Sequence, residues 1–192
     1  MAEPARRRAT YEDVLRAPRE QLAQVIDGDL YLHPRPAMPH AVAAAVLGMD
    51  LGSPFQRGRG GPGGWWIIDE PELHLGAEPD IVVPDLGGWR RERMPAPPAT
   101  AFVTLAPDWI CEVLSESTRR VDRGPKMRLY ARERVAHVWL VEPGAQTLEV
   151  FRLDGETYRF VATHEGDERA RIEPFEAVEL ELAALWGKND SD

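Results

Sequence analysis

Hydrophobic positions recur along the chain with two periods, one typical of helices and one typical of strands. Apolar residues spaced as on one helical face predict helices over residues 11–22, 40–55 and 122–134, and a short one over 182–186. Runs of β-branched and aromatic residues predict strands over residues 65–69, 73–75, 79–84, 109–114, 137–141, 147–153 and 158–163. Asp27 and Gly28 lie between two further apolar runs and predict a tight hairpin turn.

The order of these elements indicates the fold class. The strand at 109–114, the helix at 122–134 and the strand at 137–141 form a strand–helix–strand unit, in which the two strands are expected to be parallel. The turn at Pro143 and Gly144 makes the next strand pair antiparallel. We therefore expect an α/β domain over residues 11–186, with a mixed β-sheet flanked by helices. Residues 1–10 are expected to form a flexible tail, and residues 187–192 a second tail.

Composition and charge narrow the classes of function. A chain of 192 residues that is 43% hydrophobic is suited to one folded domain. Its 32 acidic and 23 basic residues give a net charge of −9, which disfavours loose binding to nucleic acid, although a local basic patch or a bound cation can reverse the sign. The single cysteine, Cys111, excludes an internal disulfide and a cysteine zinc cluster. No apolar run predicts a membrane span or a signal peptide, so the expected location is cytoplasmic.

Two acidic residues lie in apolar strands. Asp80 precedes a run of isoleucine and valines, and Glu112 stands between Cys111 and Val113. A carboxylate in such a place is unfavourable unless it is paired or bound to a cation. Together the two acids would suit Mg²⁺ or Mn²⁺. The alternative is that each acid caps a loop or pairs with an arginine.

The helix after Glu112 carries Asp122, Lys126 and Tyr130 at positions i, i+4 and i+8, which share one face. Lys126 could point at the carboxylates and stabilise negative charge on a phosphate. From the spacing alone, an ordinary surface pair of Asp122 with Lys126 is favoured.

Other basic residues lie near these acids. Three arginines at the start of that helix could contact phosphate or form a solvated face: Arg119, Arg120 and Arg123. His40, just ahead of the second helix, could also contact a phosphate, although a surface histidine is favoured. Cys111 alternates with Glu112 and is therefore expected to point the other way, into packing.

Four segments carry a resemblance to a known family: QVIDGDLYLHPRP, EPDIVVPD, APDWICEVLSEST and DRGPKMRLYARERVAHVWLVEP. In this order they resemble the Uma-two family of bacterial restriction-endonuclease-like proteins, which is part of the PD-(D/E)XK nuclease superfamily. The resemblance runs from about residue 11 to residue 153 and implies an αβββαβ core. It further implies that Asp80 is the acid of the PD motif and Glu112 the second acid, both as ligands of Mg²⁺ or Mn²⁺. A water activated by the metal would then hydrolyse DNA.

The chain departs from the family pattern in two places. The superfamily lysine usually follows the second acid by two residues, where this chain has Leu114, and the resemblance assigns its role to Lys126, with Asp122 and Tyr130 also matching. Relatives usually have a glutamate where this chain has Gln24, a neutral and weaker ligand. Two functions therefore stay open. One is a metal-dependent endonuclease acting on DNA, expected as a homodimer. The other is a non-catalytic or weakly active nuclease-fold protein with a binding or regulatory role.

Overall fold

Residues 7–188 are described by a computed structural model, in which two main β-sheets, of six and four strands, and a separate two-stranded pair lie between helices. The strands are β1 Gln21–Ile26, β2 Asp29–Pro34, β3 Trp65–Asp69, β4 Leu73–Leu75, β5 Asp80–Val82, β6 Leu86–Arg90, β7 Trp109–Val113, β8 His137–Glu142, β9 Thr147–Asp154, β10 Thr157–Glu165, β11 Arg169–Ala170 and β12 Leu180–Glu181. The helices are α1 Tyr11–Leu15, α2 Met38–Leu51, α3 Arg119–Val121, α4 Met127–Arg132 and α5 Leu182–Leu185. Two π-helical turns extend them, Gly52–Gln56 after α2 and Asp122–Lys126 between α3 and α4.

The larger sheet has six strands in the order β10-β9-β8-β7-β6-β3. Only β7 and β8 are parallel in it, and α3 and α4 form the crossover between them. The pairs β6–β7 and β8–β9 are antiparallel. The predicted mixed sheet flanked by helices is thus confirmed.

The smaller sheet has the order β2-β1-β5-β4 and begins with the β1–β2 hairpin. Its turn consists of Asp27 and Gly28, with φ of 54° and 83°. Both residues therefore take the left-handed conformation that a two-residue hairpin turn requires, as the Asp-Gly pair predicts.

Alternate residues of β7 face two separate hydrophobic cores. Cys111 and Val113 pack with α2 and α5 on one face of the six-stranded sheet. Ile110 and the following Leu114 pack on the other face, against α4 and the smaller sheet. Glu112 has the same parity as Ile110 and Leu114, so it lies between the large sheet and the crossover helices. Cys111 is fully buried in packing, as expected.

The first helix is shorter than the sequence pattern predicts. It ends at Leu15, and β1 begins at Gln21. Pro18 explains the difference, because it lacks a backbone N–H and disfavours helix at the residue before it. Strands β6, β11 and β12 are absent from the sequence prediction.

The ends of the domain are described in part. Within the expected N-terminal tail, Arg7 pairs with Asp13 (2.7 Å), and the N–H of Ala9 donates to the carbonyl of Gly28 (2.8 Å). Residues 7–10 are therefore bound to the domain. Residues 1–6 and 189–192 of the two expected tails lie outside the described residues. Between residues 7 and 188, no helix combines the length and the apolar character needed to cross a bilayer.

Candidate active site

Glu112 lies in the middle of β7 with only 2% of its side chain exposed. One carboxylate oxygen accepts a hydrogen bond from Lys126 Nζ at 3.0 Å, and the other accepts one from the hydroxyl of Tyr130. Both donors come from the crossover segment that follows β7. Lys126 thus points toward Glu112, as one of the two sequence interpretations of this residue predicted.

Lys126 is 3% exposed and lies between two carboxylates, since Asp122 Oδ1 is 3.1 Å from its Nζ. The alternative of a solvated surface pair is therefore wrong. Both residues belong to the π-helical turn, which includes Pro125. A proline inside a helix cannot donate the regular backbone hydrogen bond, and such wider turns are frequent at functional sites.

The second acid next to Glu112 is Asp85, which the sequence analysis did not single out. In the β6–β7 register Leu86 pairs with Cys111, so Asp85 adjoins the level of Glu112. Asp85 Oδ2 accepts a hydrogen bond from the N–H of Val113 at 2.6 Å. The available signal was its own Pro84-Asp85 dipeptide, a second occurrence of the Pro-Asp pair.

Asp80, the acid expected beside Glu112, lies elsewhere. It starts β5, where it pairs in register with Leu75. Its carboxylate accepts a hydrogen bond from the N–H of Asp27 at 2.6 Å and forms an ion pair with Arg132. Its electrostatic neighbours are Asp27 and Arg132, and those of Glu112 do not include it. The expected pairing of Asp80 with Glu112 is thus corrected, because four residues, 81–84, and the end of β5 at Val82 separate Asp80 from Asp85. Asp80 instead pairs with an arginine, which was the other sequence interpretation of this residue.

His40 stands in the first turn of α2, and its Nε2 lies 3.1 Å from Asp85 Oδ1. Burial lowers the pKa of His40, but the hydrogen bond and charge of Asp85, together with Asp122 and Glu70, outweigh it and raise the pKa overall. His40 is therefore part of the site, and the expected surface position is wrong.

Three acidic side chains, Glu112, Asp122 and Asp85, surround Lys126 in the site. Burial raises the pKa of Glu112 to about 8; the charge of Lys126 opposes this rise, and the charges of Asp122 and Asp85 add to it. Burial lowers the pKa of Lys126, but the neighbouring carboxylates outweigh it and raise the pKa well above its ordinary value. Lys126 is therefore charged, and its ammonium group interacts electrostatically with three acidic side chains, those of Asp122, Glu112 and Asp85.

A cavity of about 40 Å³ lies among these groups and also contacts Gln24 and His33. Gln24 is 1% exposed, and its Oε1 accepts a hydrogen bond from the N–H of Val83 at 3.1 Å. His33 is buried, and its Nε2 has no hydrogen-bond partner among the described residues. Burial, followed by the charge of Lys126, lowers the pKa of His33. No sequence signal distinguished His33, whereas Gln24 was a predicted supporting residue.

The arginine cluster near the start of the crossover is occupied in surface ion pairs. Arg119 pairs with Glu142, and Arg123 lies 2.6 Å from Glu149. Arg120 is exposed. Arg119 and Arg123 thus pair with surface acids, and a phosphate contact by the cluster stays a prediction.

A divalent cation at this site would need oxygen ligands from the surrounding side chains and from water. Among residues 7–188, no three acidic, histidine or cysteine side chains are grouped as a complete metal site. Mg²⁺, however, usually binds one or two carboxylates and keeps several waters. A cavity needs about 10–15 Å³ to hold a water. Asp85 and Glu112, two acidic side chains that line one cavity of about 40 Å³, therefore fit such an ion.

The known proteins to which this chain is similar are also described as nucleases. A family model, Uma2, described as "Putative restriction endonuclease", matches residues 9–184. The chain is similar to a solved structure described as a "putative nuclease belonging to DUF820" from Anabaena variabilis ATCC 29413. The two are 21% identical, with a TM-score of 0.71, and the match covers 93% of this chain and 98% of that one. This likeness shows a shared fold. No curated protein matches the chain.

Proposed function

Because the chain belongs to the Uma2 family, we propose that it is a divalent-metal-dependent endonuclease that hydrolyses phosphodiester bonds in DNA. The observation that carries the proposal is the position of Asp85 beside Glu112, with Lys126 bound to Glu112 at 3.0 Å. Two acids and a lysine are the groups that metal-assisted phosphodiester hydrolysis needs.

Asp85 and Glu112 would hold the Mg²⁺ or Mn²⁺ ion. A bound ion would lower the pKa of a water molecule and would offset the negative charge of the transition state. His40 orients Asp85 through its hydrogen bond of 3.1 Å. Tyr130 orients Glu112 by donating its hydroxyl to the second carboxylate oxygen. Partners of this kind fix ligand direction.

Lys126 would act on the scissile phosphate. Its ammonium group has three N–H donors; Glu112 accepts one of them, and Asp122 lies 3.1 Å from the nitrogen as an ion-pair partner. The third donor is available for a non-bridging phosphate oxygen. Negative charge grows on that oxygen in the transition state, so the contact would favour the reaction more than it favours substrate binding.

Asp85, rather than Asp80, is the proposed acid of the PD motif. Both follow a proline, and the motif fits either position in the sequence. Asp80 is neutralised by Arg132 and hydrogen-bonded to the turn at Asp27. Asp85 has no arginine or lysine partner among the described residues and lines the same cavity as Glu112.

A non-catalytic nuclease-fold protein is the second candidate, and Gln24 favours it. The amide replaces the glutamate that the family resemblance leads one to expect, and its oxygen is already used by Val83. A site with one charged ligand fewer would bind a cation more weakly.

DNA cleavage with matched acid variants tests the proposal. Purified protein is incubated with plasmid and Mg²⁺ or Mn²⁺, with and without a chelator. We expect metal-dependent cutting, and a homodimer that cuts both strands should give linear product. Asp85→Asn should abolish cleavage, because it removes a charged ligand.

Asp80→Asn is the matched control, since it makes the same chemical change in the neighbouring Pro-Asp pair. It should lower thermal stability, because it weakens the pair with Arg132, but keep cleavage. Activity lost in Asp80→Asn and kept in Asp85→Asn would reverse the assignment. Absence of metal-dependent cleavage of duplex, single-stranded and branched DNA would favour the non-catalytic alternative.

A further inference from the structure

A second, larger cavity opens next to the candidate active site. It is a groove of about 710 Å³ along the outer side of α2, and it shares His40, Glu70 and Asp85 with the smaller cavity. The groove is therefore continuous with the proposed catalytic acids.

The floor of this groove is made of residues with little or no side chain. The positions are spaced as on one helical face and carry at most a methyl group: Ala41, Ala44, Ala45, Gly48 and Gly52. A methyl group added at Gly52 would meet no atom within 4 Å. The chain can thus admit a bulky ligand close to the helix backbone.

The two ends of the groove have opposite charge. Asp69, Glu70 and Asp85 line the end near the catalytic acids. Arg57 and Arg59 line the far end, beyond α2, and both are exposed. Neither guanidinium forms a hydrogen bond or an ion pair with the part of the chain that the structure describes. In a protein with a net charge of −9, two arginines without an acidic partner at the end of a groove are well placed to bind an anion.

We propose that this groove binds one strand of the nucleic-acid substrate, with Arg57 and Arg59 contacting backbone phosphates at a distance from the cleaved bond. The inference rests on the proposed nuclease function and extends it to the path of the substrate. A phosphodiester strand is complementary to both ends of the groove. Its flanking phosphates would pair with the arginines, and the scissile phosphate would lie at the acidic end, where the cation binds. The alanine and glycine positions offer no polar side chain to the bases, whereas Ser53 and Gln56 also line the groove and could contact them.

The length of the groove agrees with several nucleotides. From His40 to Gly52 the helical backbone advances twelve residues, or roughly 18 Å at about 1.5 Å per residue. At about 3.4 Å per nucleotide along one strand, this corresponds to roughly five nucleotides. The arginine contacts therefore belong to the flanking part of the substrate.

Equilibrium binding without cleavage tests the inference. Fluorescence anisotropy of labelled single-stranded and duplex oligonucleotides is measured with chelator at several salt concentrations. The Arg57→Ala/Arg59→Ala double variant should bind about tenfold more weakly per arginine at about 0.1 M salt. Its salt dependence should fall by about 0.9 per lost contact on duplex DNA, or about 0.7 on single strands. Gly52→Leu should also weaken binding, because it fills the groove.

The Arg128→Ala/Arg159→Ala double variant is the matched control. It removes the same charge from exposed positions on α4 and on β10, the strand at the opposite edge of the large sheet from β3. Its binding should stay close to that of the wild type. Equal losses in both double variants, or no oligonucleotide binding by the wild type, would overturn the inference. Arginine-dependent binding by a protein that does not cleave would support the groove while rejecting the nuclease function. Normal binding by the Arg57/Arg59 variant of an active nuclease would reject the groove alone.

Discussion

Asp85 accepts a hydrogen bond of 2.6 Å from the backbone N–H of Val113, the residue next to Glu112. This bond joins the loop before β6 to the middle strand of the large sheet. It also holds the Asp85 carboxylate beside Glu112, where its ion-pair partner is His40 and, among the described residues, neither an arginine nor a lysine pairs with it directly. The same chain therefore supplies two acids from distant segments to one small cavity, and each of the following predictions tests a group around it.

Lys126→Met should reduce DNA cleavage by about 10²–10³-fold, if the loss of a typical transition-state donor is a fair guide. Metal binding should change little, because Asp85 and Glu112 are retained. The chain has one other lysine, Lys188, which lies at the surface with 40% of its side chain exposed and pairs with Asp167 at 2.6 Å. Lys188→Met is the matched control and should cleave like the wild type. Single-turnover cleavage rates give the comparison, and equal rates for all three proteins would exclude Lys126 from the reaction.

The free energy of unfolding of the metal-free protein should fall as the pH rises. Burial raises the pKa of Glu112 to about 8, from 4.5 in the unfolded chain. Between these values the folded state holds a proton that the unfolded state has lost, so this stabilisation is full below about pH 4.5 and gone above about pH 8. The slope from this group is at most about 1.4 kcal/mol per pH unit.

Urea unfolding with chelator at several pH values measures that slope. Glu112→Gln should flatten the profile, because an amide does not titrate in this range. Parallel profiles for the two proteins would mean that Glu112 is already ionised without metal.

His40→Ala should weaken binding of Mn²⁺ by about 10–100-fold, as the loss of a partner of a ligating group usually does. The reason is the hydrogen bond of 3.1 Å between His40 Nε2 and Asp85, which fixes the carboxylate. His40→Gln can still donate an N–H and should recover part of the affinity. Calorimetric titration measures both variants, and wild-type affinity in His40→Ala would show that Asp85 needs no such support.

Gln24→Glu should tighten metal binding and lower the stability of the metal-free protein. The new carboxylate can still accept the N–H of Val83, but it adds a buried negative charge that only a cation offsets. Thermal unfolding with chelator and with Mn²⁺ should therefore show a larger metal-induced increase in Tm than for the wild type. Gln21→Glu, at the exposed start of the same strand, is the control. An identical increase in both variants would place Gln24 away from the ion.

Local patterns predicted much of the fold. The Asp27-Gly28 turn, the parallel crossover after β7 and the long second helix each have a nearby sequence signal. Strand β6 does not, because Gly87 and Gly88 interrupt its apolar pattern and glycine is unfavourable in strands. That omission hid the strand that brings Asp85 to Glu112.

The site was predictable where its members are close in sequence. Glu112 stands in one predicted strand, and Asp122, Lys126 and Tyr130 share one face of the next helix, but it was the family resemblance that favoured directing Lys126 at Glu112 over a surface pair. The choice between Asp80 and Asp85 depends on strand register and on the partner Arg132, which lies 52 residues from Asp80. No local pattern carries that information.

The contacts of the site can form at different stages of folding. Those within β7 and the crossover segment join residues close in sequence, whereas those of Asp85 join more distant ones. Lys126 and Glu112 are 14 residues apart, whereas His40 and Asp85 are 45 apart (85 − 40). The chain entropy lost in closing the longer loop is greater by about 1 kcal/mol. The half of the site on β7 and the crossover is therefore a local unit that can form early in folding, and Asp85 joins it only when β6 docks. An ion that needs both carboxylates would bind only chains in which both halves have assembled, and so would act as a reporter of completed folding.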